Sequence, residues 1–137
     1  MIHAAMAALL QTSILAADPL SYQQAFEENA KTGKPLVVLV GAEWCGACRV
    51  MKSQTLPQVV GDDVFKQVAF TVVDSDQQGD IARQVTGGGS IPQLVMFRRE
   101  GNGWKQERLI GAQSPRAVLQ FLRKGLQVAA DKLTPNR

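Results

Sequence analysis

Cys45 and Cys48 are the only cysteines in the 137-residue sequence, and two residues separate them in Trp44-Cys45-Gly46-Ala47-Cys48. That spacing lets both sulfurs meet within one helical turn, so the pair can cycle between dithiol and disulfide. The apolar run Leu36-Val37-Val38-Leu39-Val40 comes just before it and reads as a buried strand, which puts the pair on a strand-to-helix turn. A thiol at the start of a helix gains from the helix dipole and from unpaired backbone N–H groups, so Cys45 is the expected attacking thiol. Cys48, one turn deeper, is the expected resolving thiol, which attacks the Cys45 sulfur and releases reduced substrate.

The same pair could instead begin a zinc site, but a closed site needs two further ligands and the only histidine is His3. No metal and no cofactor beyond the redox disulfide is expected. A dimer sharing two cysteine pairs is the formal alternative, which metal analysis of the purified protein decides. With 45% hydrophobic residues the chain can bury one domain's core, and two cysteines cannot staple a scaffold in its place.

Net charge is +3, unevenly divided: residues 1–81 hold five Lys/Arg against nine Asp/Glu, and residues 82–137 hold ten against three. Arg98, Arg99, Lys105 and Arg108 are expected to be solvated charges on a hairpin, with a partner-facing basic surface as the alternative. No aromatic stacking platform accompanies them, so nucleic acid is not an expected partner.

The elements that must position the cysteines follow from periodicity. Ser21 is a candidate N-cap for a helix over residues 22–31, with Tyr22, Ala25, Phe26 and Ala30 on its inner face and Gly33 at its end. The strand 36–40 is apolar on both faces, as a central strand covered by helices should be. A helix from Gly46 towards Leu56 is ended or kinked by Pro57. Residues 68–73 form the next strand, ending at Asp74, and 77–85 a short helix with Ile81, Ala82 and Val85 inward. The turn Gly87-Gly88-Gly89-Ser90 leads through Ile91-Pro92 into a hairpin of residues 93–97 and 104–110. Ser114-Pro115 opens a last helix with Val118, Phe121, Leu122 and Leu126 buried. Strands alternating with helices and closed by a hairpin imply an α/β fold, a mixed central sheet flanked by helices.

Residues 1–17 read as a signal peptide, with an apolar block from Ile2 to Leu10, then Ile14-Leu15-Ala16-Ala17 and cleavage after Ala16 or Ala17. Residues 18–137 are then the mature domain, and export to the periplasm is expected. No Lys or Arg precedes Lys31, and the alternative is an Ala-rich first helix docked on a cytoplasmic domain. Gln11-Thr12-Ser13 interrupts the apolar stretch, so no membrane span is expected in the mature chain, since a span takes about 20 apolar residues.

Over about residues 20–128 the chain resembles the thioredoxin family. Glu43-Trp44-Cys45-Gly46-Ala47-Cys48 matches the family's active-site hexapeptide except at Ala47, where thioredoxin has proline. Ser90-Ile91-Pro92 matches its Ile-Pro, whose peptide bond is cis in the family, and Gly111-Ala112 matches the glycine turn of its substrate groove. The resemblance implies a thioredoxin fold and a monomer that reduces or exchanges protein disulfides. It implies that Trp44, Ile91, Pro92 and Gly111 bind substrate, with the Ile91 backbone pairing with an extended segment. The implied partners are proteins with disulfides or thiols and a thiol electron donor.

Two departures bear on mechanism. The family's buried Asp, six residues before the first cysteine, is Leu39 here, and its partner Lys falls near Phe70. The two changes compensate, because either charge alone in a core would cost several kcal/mol. Ser53 stands where the active-site helix of the family has proline, a pattern similar to the bacterial thiol:disulfide interchange branch. Without the Asp, the proton of Cys48 is expected to pass to water or to Glu43, the nearest acidic side chain in sequence. Ala47 adds a backbone N–H that favours the Cys45 thiolate, so the expected potential lies above the roughly −270 mV of thioredoxin, a value that equilibration with glutathione reads directly. The rival reading is a non-catalytic binding module that recruits partners through the groove. Retention of both cysteines, Trp44 and Ile91-Pro92 argues against it.

Overall fold

The computed structural model describes residues 19–133; the expected signal peptide and its cleavage site lie outside the described residues. Ser21 caps helix α1 (Tyr22–Thr32) reciprocally: its Oγ accepts from Gln24 N at 3.2 Å, and its own N donates to Gln24 Oε1 at 2.9 Å. Gly33 closes the helix in the left-handed region at φ 75. Pro35 then leads into β1 (Leu36–Gly41).

The inner face of α1 differs from the periodic expectation. Ala25 and Asn29 are buried, while Phe26 is 44% exposed and Ala30 is also exposed. Ala25 allows the helix to lie close to the sheet. The Asn29 Nδ2 donates to the Lys34 carbonyl at 2.6 Å, while its Oδ1 is buried without a partner among the described residues. Phe26 instead turns along the surface to Trp104, with ring centroids 6.4 Å apart.

The strands β2 (Ala69–Asp74), β3 (Gln93–Glu100) and β4 (Gly103–Ile110) complete one sheet in the order β2-β1-β3-β4. β2 runs parallel to β1, and the other neighbours are antiparallel. Side chains of β1 alternate between two cores. Val37 and Leu39 pack with Met51, Leu56, Val59, Val118 and Leu122 on one side. Leu36, Val38 and Val40 pack with Ala25, Ala69, Val73, Ala82 and Val85 on the other. A central strand covered on both faces needs this unbroken apolar run.

The active-site helix does not end before Pro57. It runs from α2 (Gly46–Val50) through a π turn (Met51–Thr55) into α3 (Leu56–Val59), which has Pro57 in its first turn. A proline ring clashes with the carbonyl four residues earlier in a regular α-helix. Here Leu56 N reaches back five residues to Met51 O, and the wider turn accommodates the ring.

Helix α4 (Gly79–Thr86) starts two residues later than its periodicity suggests and buries Ala82 and Val85. Helix α5 (Pro115–Leu133) is capped by Ser114, whose Oγ accepts from Ala117 N at 3.1 Å. Val118 and Leu122 are fully enclosed beneath it. Gly125 lets the helix approach β3, because a Cβ there would run into Met96 Sδ.

The basic hairpin carries mostly solvated charges, as expected: Arg99, Lys105 and Arg108 are exposed, and Arg98 is the exception. Arg98 is buried at 4% exposure and its Nη2 pairs with Glu107 Oε1 at 2.8 Å. The Arg99 guanidinium covers the Trp104 ring at 4.6 Å, and Arg108 reaches Thr86 and Gln93. Arg99 and Arg108 thus have partners within the chain while remaining exposed, and of the three arginines only Arg98 is withdrawn from solvent.

Candidate active site

Cys45 is the N-cap of α2. It adopts extended backbone, its carbonyl accepts from Arg49 N at 3.1 Å, and its Sγ accepts from Cys48 N at 3.2 Å. The two cysteines are joined as a disulfide with a Cα–Cα distance of 5.2 Å. Both are nearly enclosed, Cys45 at 9% and Cys48 at 6% exposure. Cys48 rests on the last residue of β1: a Cβ on Gly41 would lie 3.1 Å from Cys48 Cβ and 3.2 Å from its Sγ. Gly41 therefore lets the first turn of the helix pack closely against the strand end.

The other residues singled out in the sequence come together around this pair. The Ile91–Pro92 peptide bond is cis. The Ile91 carbonyl oxygen lies 4.0 Å from Cys45 Sγ, and Ile91 packs against the small cluster of Ala42, Cys45 and Cys48. Gly111, at φ 86, donates its N–H to the Pro92 carbonyl at 2.8 Å, which places the glycine turn beside the proline. Trp44 is 68% exposed, and its Nε1 donates to Asp76 Oδ2 at 2.9 Å. Sequence reasoning missed Asp76, because a loop carboxylate 32 positions away carries no local signal of this bond.

Glu43 makes no hydrogen bond to either sulfur in its observed contacts. Its side chain is 75% exposed and pairs with Lys52 Nζ at 3.3 Å, while its carbonyl accepts from Arg49 Nη1 at 3.3 Å. Behind Cys48 lies a narrow cleft of about 30 Å³, walled by Leu39, Val72 and Pro92 and also lined by Glu43, Lys52 and Asp74. Asp74 was noted in the sequence only as a strand end. Its Oδ1 accepts from Asp76 N at 2.8 Å and Gln77 N at 3.2 Å, so it also shapes the loop that holds Trp44.

The floor of the site is apolar. Leu39 is 3% exposed, and the register sets it opposite Val72 rather than Phe70, which pairs with Val37. Phe70 packs on Phe65 instead, with centroids 4.8 Å apart. The strand position facing Leu39 is apolar in either case, so no buried charge pair underlies the disulfide.

Among the described residues no group of three or more His, Cys, Asp or Glu could hold a metal ion. No helix among them is long and apolar enough to cross a membrane. A disulfide closed within one turn at a helix start, against a cis-proline, defines a thiol–disulfide oxidoreductase. The family model for thioredoxin matches residues 19–124, and the chain belongs to the thioredoxin family.

Thioredoxin H2 of Arabidopsis thaliana is 34% identical over 94 residues, which cover 67% of this chain and 64% of that protein. A thioredoxin of Griffithsia pacifica is 34% identical over 103 residues, 74% of this chain and 87% of its own length. The fold matches the solution structure of a thioredoxin from Thermus thermophilus with a TM-score of 0.65 at 20% identity, covering 80% of this chain and 86% of that one.

The apolar floor makes a prediction. Leu39→Asp buries a carboxyl with no cation facing it, and should cost on the order of 3–5 kcal/mol at neutral pH. Burial raises its folded pKa above the unfolded value near 3.9, so the folded state holds more protons and stability falls as pH rises from about 4. Urea unfolding of this variant at pH 4 and pH 8 measures the effect; an equal loss at both would mean that the site is not dry.

Proposed function

We propose that this chain reduces or exchanges disulfides of protein substrates, with Cys45 attacking and Cys48 resolving. The observation that carries the reading is the Cys48 N–H directed at Cys45 Sγ, beside the Ile91 carbonyl. A donor at 3.2 Å stabilises the Cys45 thiolate, the form that attacks. Attack on a substrate disulfide forms a mixed disulfide and expels one substrate thiolate. The Cys48 thiolate then attacks Cys45 Sγ, the second substrate thiolate leaves, and the Cys45–Cys48 disulfide is formed. A thiol donor returns two electrons and two protons to the pair. An extended substrate segment lies on the Ile91 backbone, between Trp44 and the Gly111 turn. The partners are proteins bearing disulfides, and the working unit is a monomer.

Cys48 must lose its proton for the second step. A cleft of about 30 Å³ has room for a water behind it, and Glu43 lines the same cleft. Water is the immediate acceptor in this reading, and Glu43 takes the proton onward. A place near the bacterial thiol:disulfide interchange branch is supported by Ser53 in place of the helix proline. Export fits that placement, supported by the apolar block of residues 2–10.

Three measurements test these statements. Cys48→Ser should accumulate mixed disulfides with substrate on non-reducing gels, through Cys45; a variant that traps nothing, or trapping that survives Cys45→Ser, would sink the assignment. Reductase rate against pH should fall more steeply below neutrality than in thioredoxins with a buried aspartate, and Glu43→Gln should shift that acid limb. Superimposable profiles for the two forms remove Glu43 from the proton route. Protein recovered from an exporting host should begin at Ala17 or Asp18; an intact Met1 would refute export.

A further inference from the structure

The segment that carries the Ile91 backbone has almost nothing of its own to hold it. Gly87, Gly88, Gly89 and Ser90 are all exposed, and Gly87 and Gly88 sit at positive φ, 65 and 79. Glycines lose more conformational freedom on ordering than other residues, so this loop needs anchors from outside. Hydrogen bonds to Thr86 supply the local ones. Its carbonyl accepts from Gly89 N at 3.3 Å, and its Oγ1 accepts from Gly88 N at 3.2 Å while donating to Ala82 O at 2.8 Å.

The long-range anchor is Arg108. From β4, its Nη1 donates to the Thr86 carbonyl at 3.0 Å and to Gln93 Oε1 at 3.1 Å, while its Nη2 donates to Gln106 Oε1 at 2.8 Å. Thr86 is the last residue before the glycines, and Gln93 is the first after Pro92. Gln93 is 1% exposed, and its amide lies so near the loop that a Cβ on Gly89 would be 2.6 Å from Nε2. One charged nitrogen therefore ties together the two ends of the loop that presents Ile91. Bonds to a charged donor are stronger than neutral ones.

We propose that Arg108 is a positioning residue for protein substrates, acting by clamping Thr86 and Gln93 so that the Ile91 backbone is held ready to pair with an extended segment. This rests on the proposed role of Ile91 in substrate binding. None of the bonds of Arg108 goes to Cys45 or Cys48, so its effect is on binding and not on the chemistry of the sulfurs. A small disulfide that needs no backbone pairing does not depend on it.

The test compares the unsubstituted protein with Arg108→Met and Arg108→Lys. In Arg108→Met, backbone NMR order parameters from Gly88 to Ile91 should fall, and KM for insulin should rise on the order of five- to tenfold. Its rate with a small aromatic disulfide and the Cys45–Cys48 potential should stay unchanged. Arg108→Lys, which keeps a charged donor, should recover part of the insulin KM. Unchanged order parameters, or equal losses with both disulfides, would overturn the clamp. Failure of the unsubstituted protein to reduce insulin would overturn the proposed function instead, since the order parameters are read without turnover.

Discussion

The seating of the active-site helix on the end of β1 is the contact from which the rest of the site follows. Cys48 touches Gly41 so closely that a Cβ there would crowd its Cβ at 3.1 Å and its sulfur at 3.2 Å. Because the helix begins on the strand, Cys45 must serve as its N-cap and Cys48 must fall one turn in. The sulfurs then meet within one turn, and the Cys48 N–H points at Cys45 Sγ. The strand is in turn packed between two cores, one on each face, so the cysteine pair stands on a buried central strand.

Around that contact the chain builds a site with a dry floor and a polar outer side. Leu39 and Val72 close the interior, while Glu43, Lys52 and Asp74 line the cleft behind Cys48. Cys45 Sγ meets the Ile91 carbonyl at 4.0 Å. Two loops complete the site: Asp76 holds Trp44 in a turn shaped by Asp74, and Arg108 ties the glycine turn. Each is fastened by polar side chains from a neighbouring element rather than by packing.

Features set by local sequence were legible before any coordinates. The Cys-x-x-Cys spacing, the strand before it, the capping residues Ser21 and Ser114 and the sequence Ile91-Pro92 all signal within a few positions. Their meeting in space follows once the sheet order is known. What could not be read depends on tertiary geometry. Phe26 has the period of a core residue, yet the inward position goes to Asn29, whose amide nitrogen finds the Lys34 carbonyl. The π turn that absorbs Pro57 leaves no periodic trace. Arg108 reads as one more surface charge until β4 is laid beside β3 and its guanidinium reaches Thr86. The neighbour of Leu39 was likewise a question of register, and two positions separate Phe70 from Val72.

The sheet has β4 at one edge and β2 at the other. An open sheet risks having other chains add themselves to its outer strands, the first step of aggregation. Unpaired N–H and C=O groups on a flat edge invite this. Along β4 the residues Lys105, Glu107 and Arg108 place charge on that strand. Across the sheet, Leu20 bridges to Thr71 of β2 and its carbonyl accepts from Thr71 Oγ1 at 2.6 Å, covering part of that edge. The charges on β4 and the Leu20 bridge on β2 thus oppose the addition of another chain at either edge.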